Sequence, residues 1–375
     1  MTALYLDNAA TTPMRREVLE AMAPLLTTTY GNPSSHHTVG ERAAASLDDA
    51  RRRVARVLAV RAGDIVFTSG GTEANNLAVK GIALAAMQAS GARHVVTTPI
   101  EHESVLASVD HLQRLHGFEV TMLTVDRHGR VDPGEMARAV RADTAVVSIG
   151  LANNEIGTVQ DAPALVEASG RVPLHLDAVQ AAGWLPLASL GADALSLAGH
   201  KFGGPKGIGV AMVRGRIPVE PVLHGGGQQR GRRSGTENVA GAVGLAAALE
   251  LAEAERADAA ERVSRIRDAF IERVLASVPT ARLTGHPVSR LPGTASFTFA
   301  GTSGEAVLLE LERRGVVSSS GSACAAGSDD PSHVLTALGL APDLARTAVR
   351  FTLPHTWDGP LDTVADAVAD AVRAV

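Results

Sequence analysis

Leu195-Ser196-Leu197-Ala198-Gly199-His200-Lys201-Phe202-Gly203-Gly204-Pro205-Lys206-Gly207 passes from an apolar run into a turn rich in glycine and proline, with a lysine at the crossing. Lysine is scarce here. Only Lys80, Lys201 and Lys206 occur, and the other 32 of the 35 basic residues are arginine. Arginine therefore serves wherever a surface cation suffices. A lysine kept at a strand end suits a task that a guanidinium cannot do, such as forming an imine. A surface lysine in a turn is the plainer alternative, and it suits Lys206.

Outward from this run the same pattern repeats. Short apolar runs at 65–68, 94–98, 120–125, 145–149, 174–176, 194–197 and 208–213 alternate with amphipathic stretches such as Leu47, Ala50, Val54, Val57 and Leu58. Strands that are apolar throughout, alternating with helices, predict an α/β fold with a mostly parallel sheet covered on both faces. An Ala/Glu/Arg-rich helix is expected over about 238–276. Beyond Pro279, strand patterns at 295–299, 316–318 and 349–353 and helical ones near 305–313 and at the C-terminus predict a smaller α+β domain. A short strand at 4–6 could pack against either domain.

Composition narrows the function. The 375 residues are 45% hydrophobic, and 35 basic against 40 acidic side chains give a formal charge of −5. That balance offers no electrostatic grip on nucleic acid or an anionic membrane. The longest apolar run, 239–249, is about half a membrane span. The N-terminus carries Asp7 and no apolar signal core, so a cytoplasmic protein is expected. One cysteine, Cys324, excludes an internal disulfide and a thiolate cage. No His-Glu-x-x-His occurs, and no metal site is expected.

Four further stretches carry chemistry. In Phe67-Thr68-Ser69-Gly70-Gly71-Thr72-Glu73-Ala74-Asn75-Asn76 a β-run meets two glycines and a helix start, which suits a phosphate cradle or a plain βα turn with Thr72 as N-cap. Leu174-His175-Leu176-Asp177-Ala178-Val179-Gln180 puts an acid at a strand's carboxyl end, where open sheets bind ligands. Its partner would be a cofactor's ring cation or a helix N-terminus. His102, in Ile100-Glu101-His102-Glu103-Ser104-Val105, is placed at a strand-to-helix junction as an acid–base group or a helix-start residue without a task. Cys324 lies among serines, glycines and alanines in Ser318-Ser319-Ser320-Gly321-Ser322-Ala323-Cys324-Ala325-Ala326-Gly327-Ser328. So little apolar bulk surrounds it that a thiol presented on a mobile loop is the sharper reading, a small buried hydrophobe the plainer one.

Together these segments resemble the cysteine desulfurases, pyridoxal 5′-phosphate enzymes of the aspartate-aminotransferase fold in the class V aminotransferase group. The resemblance also takes in Tyr5-Leu6-Asp7-Asn8-Ala9-Ala10-Thr11-Thr12-Pro13, Gly31-Asn32-Pro33-Ser34-Ser35, Asn153-Asn154-Glu155-Ile156-Gly157 and Arg233-Ser234-Gly235-Thr236. It implies a large domain over 14–255 around a mostly parallel seven-stranded sheet, and a small domain built from 1–13 and 256–375. Carried over by resemblance, Lys201 is the Schiff-base lysine, Asp177 the partner of the pyridinium nitrogen and Gln180 that of the phenolic oxygen. His102 stacks on the ring and shuttles protons. Gly71, Thr72 and His200 hold the phosphate, and Thr236 reaches the phosphate of the other subunit of a homodimer. Asn153 and Arg350 orient L-cysteine, Arg350 through its carboxylate. Cys324 takes the substrate sulfur as a persulfide, alanine leaves, and an acceptor protein collects the sulfur for iron–sulfur clusters or other thio-products.

The Cys324 loop with Pro331-Ser332 resembles the long loop of the NifS- and IscS-type group. The chain departs from the family at Ala198, where a serine usually contacts the phosphate, so one phosphate hydrogen bond is expected to be missing or to be replaced by Ser196 or water. It also ends at Val375, soon after its last helix, where housekeeping members carry a longer scaffold-docking tail. A selenocysteine lyase or a class V aminotransferase is the alternative activity.

Overall fold

The computed structural model describes residues 3–320 and 330–375. Its strands are β1 Leu4–Tyr5, β2 Ile65–Thr68, β3 His94–Thr97, β4 Glu119–Met122, β5 Thr144–Gly150, β6 Leu174–Asp177, β7 Ala194–Ala198, β8 Gly209–Val213, β9 Ala281–Leu283, β10 Thr294–Phe299, β11 Val316–Val317 and β12 Val349–Thr352. The strands β2 to β8 form one seven-stranded sheet in the order β2-β8-β7-β6-β5-β3-β4. Each corresponds to one of the apolar runs read from the sequence. Pairing is parallel from β7 through β6, β5 and β3 to β4, whereas β8 runs antiparallel to both β7 and β2.

The continuous apolarity of the strands has a direct cause. Successive side chains leave opposite faces of a strand, so both must be apolar when both faces are covered. Val95 and Val146 enter a core with Val105, Val109 and Leu112 of helix Glu103–His116. Their neighbours Val96 and Val147 enter the opposite core with Val18, Leu47 and Val54, from helices Arg16–Thr27 and Thr38–Val57.

A second core surrounds the antiparallel sheet β12-β10-β9. Phe270, Phe297 and Phe351 meet there edge to face, with ring centroids 5.3 to 6.3 Å apart, the geometry that aromatic quadrupoles favour. The strand expected at 4–6 joins this part, since β1 pairs in parallel with β11 and Leu6 is fully buried in the second core. One strand was not anticipated. β9 has three residues and only Ala281 is buried, too short for a periodicity to register. Helix Val239–Ser277 spans both parts, its first turns in the sheet core and Val263, Phe270 and Val274 in the second.

A close approach places the turn after β2. Gly209 opens β8 opposite Thr68, and a Cβ there would lie 2.5 Å from the carbonyl carbon of Gly70. Gly209→Ala is therefore expected to lower stability by about 1–3 kcal/mol, the usual cost of overpacking, read as an earlier denaturation midpoint. An unchanged midpoint would show that the Gly70 turn moves aside freely.

Candidate active site

Five strands deliver their carboxyl ends to one crevice, as open α/β sheets do. The turn after β2 brings Gly71 and Thr72, the segment after β3 brings Glu101 and His102, and that after β5 brings Asn153. Asp177 ends β6, Gln180 follows it, and the turn after β7 carries His200 and Lys201. These residues and Arg350 of β12 line a cavity of about 340 Å³. Of the site residues expected from the sequence, Thr236 does not line this cavity, and Cys324 lies outside the described residues.

Lys201 leaves β7 through a single 3-10 turn, Gly199–Lys201. Its Nζ donates to the carbonyl oxygens of Ala9 and Ala10, the latter at 2.9 Å. Gln180 Nε2 donates to the same Ala9 oxygen at 3.0 Å. His200 Nδ1 lies 3.1 Å from Thr11 Oγ1. Burial and then the charges of Lys201 and Lys206 bring the His200 pKa down to about 4, so its ring is neutral at pH 7.

Asp177 is 8% exposed and makes no ion pair with a lysine or arginine among the described residues. Its Oδ1 accepts from Val179 N–H at 3.0 Å and its Oδ2 from Asn75 Nδ2 at 2.7 Å. Asn75 Nδ2 also donates to Ser104 Oγ at 2.9 Å, and that oxygen is 2.7 Å from His102 Nδ1. A hydrogen-bonded link thus joins the acid to the histidine. His102 is the N-cap of helix Glu103–His116, its Nδ1 accepting Ser104 N–H at 3.1 Å. That bond places the proton of the neutral ring on Nε2.

The opposite end of the cavity suits an anion. Gly70, with φ +157°, is the N-cap of helix Gly71–Asn76, so Thr72 stands inside the first turn and is not the cap. A Cβ on Gly71 would meet Val179 Cγ2 at 2.8 Å, which keeps the turn bare against the strand ends. An anionic group here, a ring cation against Asp177 and a carbonyl carbon near Lys201 describe one flat molecule that these residues fit.

One expectation changes and two gain detail. Ser196 does not replace the serine missing at Ala198: its hydroxyl is 2.9 Å from His175 Nε2 inside the sheet and fully buried. His175, with its pKa near 4 through burial, binds Ser148 on the other side. Asn153 lines the cavity, yet its amide serves the loop, donating to Ile100 O and accepting Glu155 and Ile156 N–H. Arg350 already holds acceptors: Asp7 Oδ1 at 2.6 Å and Asn154 O at 2.8 Å.

Glu101, Asn75, Ser104 and Asp7 were given no task by sequence reasoning, although each stands in a quoted motif. An acid directly before His102 at the end of an apolar run was the available signal for Glu101. Its carboxyl is pushed up to about 8, chiefly by complete burial, and it accepts from Thr98 Oγ1 at 2.7 Å. The unfolded side chain ionises near pH 4.3. Folding therefore loses stability as pH rises from there through about 8, because only the unfolded chain ionises freely across that window. Glu101→Gln should remove this slope, worth on the order of a few kcal/mol, in urea titrations between pH 4.5 and 8. Parallel curves for both proteins would show Glu101 to be charged in the fold.

The aminotransferase class-V family model matches residues 4–355. A cysteine desulfurase IscS from Dictyoglomus turgidum is 44% identical, over 93% of this chain and 89% of the relative. Among solved structures, a NifS-like protein superposes with a TM-score of 0.91 at 34% identity, covering all of both chains. A structure described as SspA in complex with cysteine gives 0.81 at 35% identity, covering 94% of this chain and 99% of that one. With its sheet order, its lysine and its acid placed as described, the chain belongs to the class-V aminotransferase family and, within it, to the NifS/IscS-like cysteine desulfurases.

Proposed function

We propose that this protein takes sulfur from L-cysteine, releases L-alanine and holds the sulfur as a persulfide on Cys324, with pyridoxal 5′-phosphate as its cofactor. The observation that carries this reading is the convergence of Lys201, Asp177 and the Gly70-Gly71 turn on one cavity in a chain of this family. Gly71, Thr72 and His200 would hold the phosphate, Asp177 the ring nitrogen and Gln180 the phenolic oxygen, with His102 against the ring. When bound, the cofactor supplies an electron sink that lets the Cα proton leave and loosens the Cβ–S bond.

The protein's own groups do the rest. Asn75 and Val179 donate to the two Asp177 oxygens without bringing a positive charge, so the acid is left to pair with the ring nitrogen. Lys201 Nζ, held by two backbone carbonyls, is the base for the Cα proton. His102 presents a ring whose proton is set on Nε2 by Ser104. Arg350 and Asn153 orient the substrate carboxylate. The Cys324 thiolate then attacks the substrate sulfur; the new S–S bond forms as Cβ–S breaks, and the electron pair stays with the carbon that becomes the methyl of alanine. Both described flanks of 321–329 are tied to the site. Ser319 exchanges backbone hydrogen bonds with Arg350, and Ser332 Oγ donates to Glu155 at 2.5 Å.

Residues 14–255 form the cofactor-binding domain in this reading, and 1–13 with 256–375 the smaller one. A homodimer is part of it, with Thr236 serving the partner's phosphate. The exposed Leu19, Leu26 and Tyr30 offer apolar surface for such a pairing, and Thr236 lies outside the lining of its own chain's cavity. The sulfur acceptor is a second protein. Among the described residues no helix is long and apolar enough to cross a membrane, and a lone catalytic thiol suits the reducing cytoplasm.

Alanine released from L-cysteine in the presence of a thiol reductant tests the reaction. Wild type should turn over, whereas Cys324→Ala should lose at least about 100-fold while keeping the cofactor absorbance, and Lys201→Ala should lose turnover and the lysine-bound absorbance. Alanine formation that survives Cys324→Ala would remove the persulfide route.

A further inference from the structure

The segment from Asp7 to Thr12 touches four groups of the cavity. Beyond the Lys201, Gln180 and His200 bonds to Ala9, Ala10 and Thr11, Asp7 carries the ion pair with Arg350. This pair differs from the surface pairs in its burial. The side chains are 3% exposed for Arg350 and 17% for Asp7. A guanidinium that far from water needs an anion whether or not a substrate is present.

Backbone geometry fixes the pair. Asp7 bridges to Thr352, two residues beyond Arg350 on β12, and Asn8 Nδ2 donates to Thr352 O at 2.7 Å. Tyr5 hydroxyl and Ala10 N–H both donate to the Asp7 carbonyl. Arg350 is held from a third segment through Nη1 to Asn154 O. Because the guanidinium is planar, pinning two of its nitrogens on different segments sets the orientation of the whole fork.

We propose that Asp7 is a positioning residue for substrate recognition: by holding Nη2 of Arg350 it sets the plane of the fork that grips the α-carboxylate of an amino-acid substrate. The inference rests on the role given to Arg350 in the proposed function. Affinity for the carboxylate, and not the chemical step, depends on Asp7.

The test uses the full chain loaded with pyridoxal phosphate and reads equilibrium binding from the cofactor absorbance. L-Alanine is compared with L-alaninamide, which lacks the carboxylate. Asp7→Asn should weaken L-alanine about tenfold, the usual scale for a hydrogen bond to a charged group, and leave L-alaninamide unchanged. The KM for L-cysteine should rise in parallel with kcat held within about threefold. In an Arg350→Lys background the same change should alter L-alanine binding less than about twofold, since coupled residues are not additive. Equal losses for both ligands, tighter L-alanine binding, or a fall in kcat at constant KM would each overturn the proposal. Should Asp7→Asn fail to fold, Asp7→Glu keeps the charge but displaces it, and the same selective loss is required of it. If wild type forms no alanine from L-cysteine, the desulfurase reading fails, while the L-alanine to L-alaninamide comparison still decides the role of Asp7.

Discussion

A carboxylate at the inner end of a parallel strand has to be stabilised without being neutralised. Asp177 occupies that position, and its surroundings follow from the requirement. An arginine beside it would quench the charge. An amide and a backbone N–H hold its two oxygens instead, and neither brings a charge of its own. The amide belongs to Asn75, on the helix that opens with the Gly71 turn, so the acid and the anion cradle are fixed to each other by one short element. Beneath them His175 is locked neutral between Ser148 and Ser196. The crevice thereby sits on a polar but uncharged layer that does not compete with Asp177 for a cation.

Much of this was legible in the sequence because its signals are local. The inner strands announced themselves as apolar runs, since a strand covered on both faces has no polar side to show, whereas the exposed edge strand β4 overlaps its run only in part. Lys201 stood out against an arginine-rich background, and Asp177 by its place at the end of such a run. What stayed hidden is non-local. The carbonyls of Ala9 and Ala10 that receive Lys201 come from 191 and more residues away, and a carbonyl has no signature in a sequence. Ser196 looked available for the phosphate, and only the face of β7 from which it leaves commits its hydroxyl to His175. Asp7 was visible in its motif, but nothing in that motif names β12 as its partner.

The departure at Ala198 gains meaning from the same layer. Ser196 is committed inside the sheet, so in the proposed reading the phosphate end would rest on backbone N–H groups, Thr72 and the neutral His200. Gly70 and Gly71 can press close there only because Gly209 lets β8 pass beneath them. The binding end is therefore built more from main chain than from side chains.

Helix Val239–Ser277 contributes to both hydrophobic cores and runs as one unbroken helix from Ala252 in the first to Val263 in the second. Two bodies that share a rod of 39 residues cannot lose their packing separately without exposing a half-naked helix. The sheet domain and its smaller companion should consequently melt in one cooperative step. The rod also acts as a mechanical axle: a displacement of β12 and its arginine relative to Lys201 has to be accommodated by bending or rolling about that helix, so its stiffness governs how far the two walls of the cavity can drift apart.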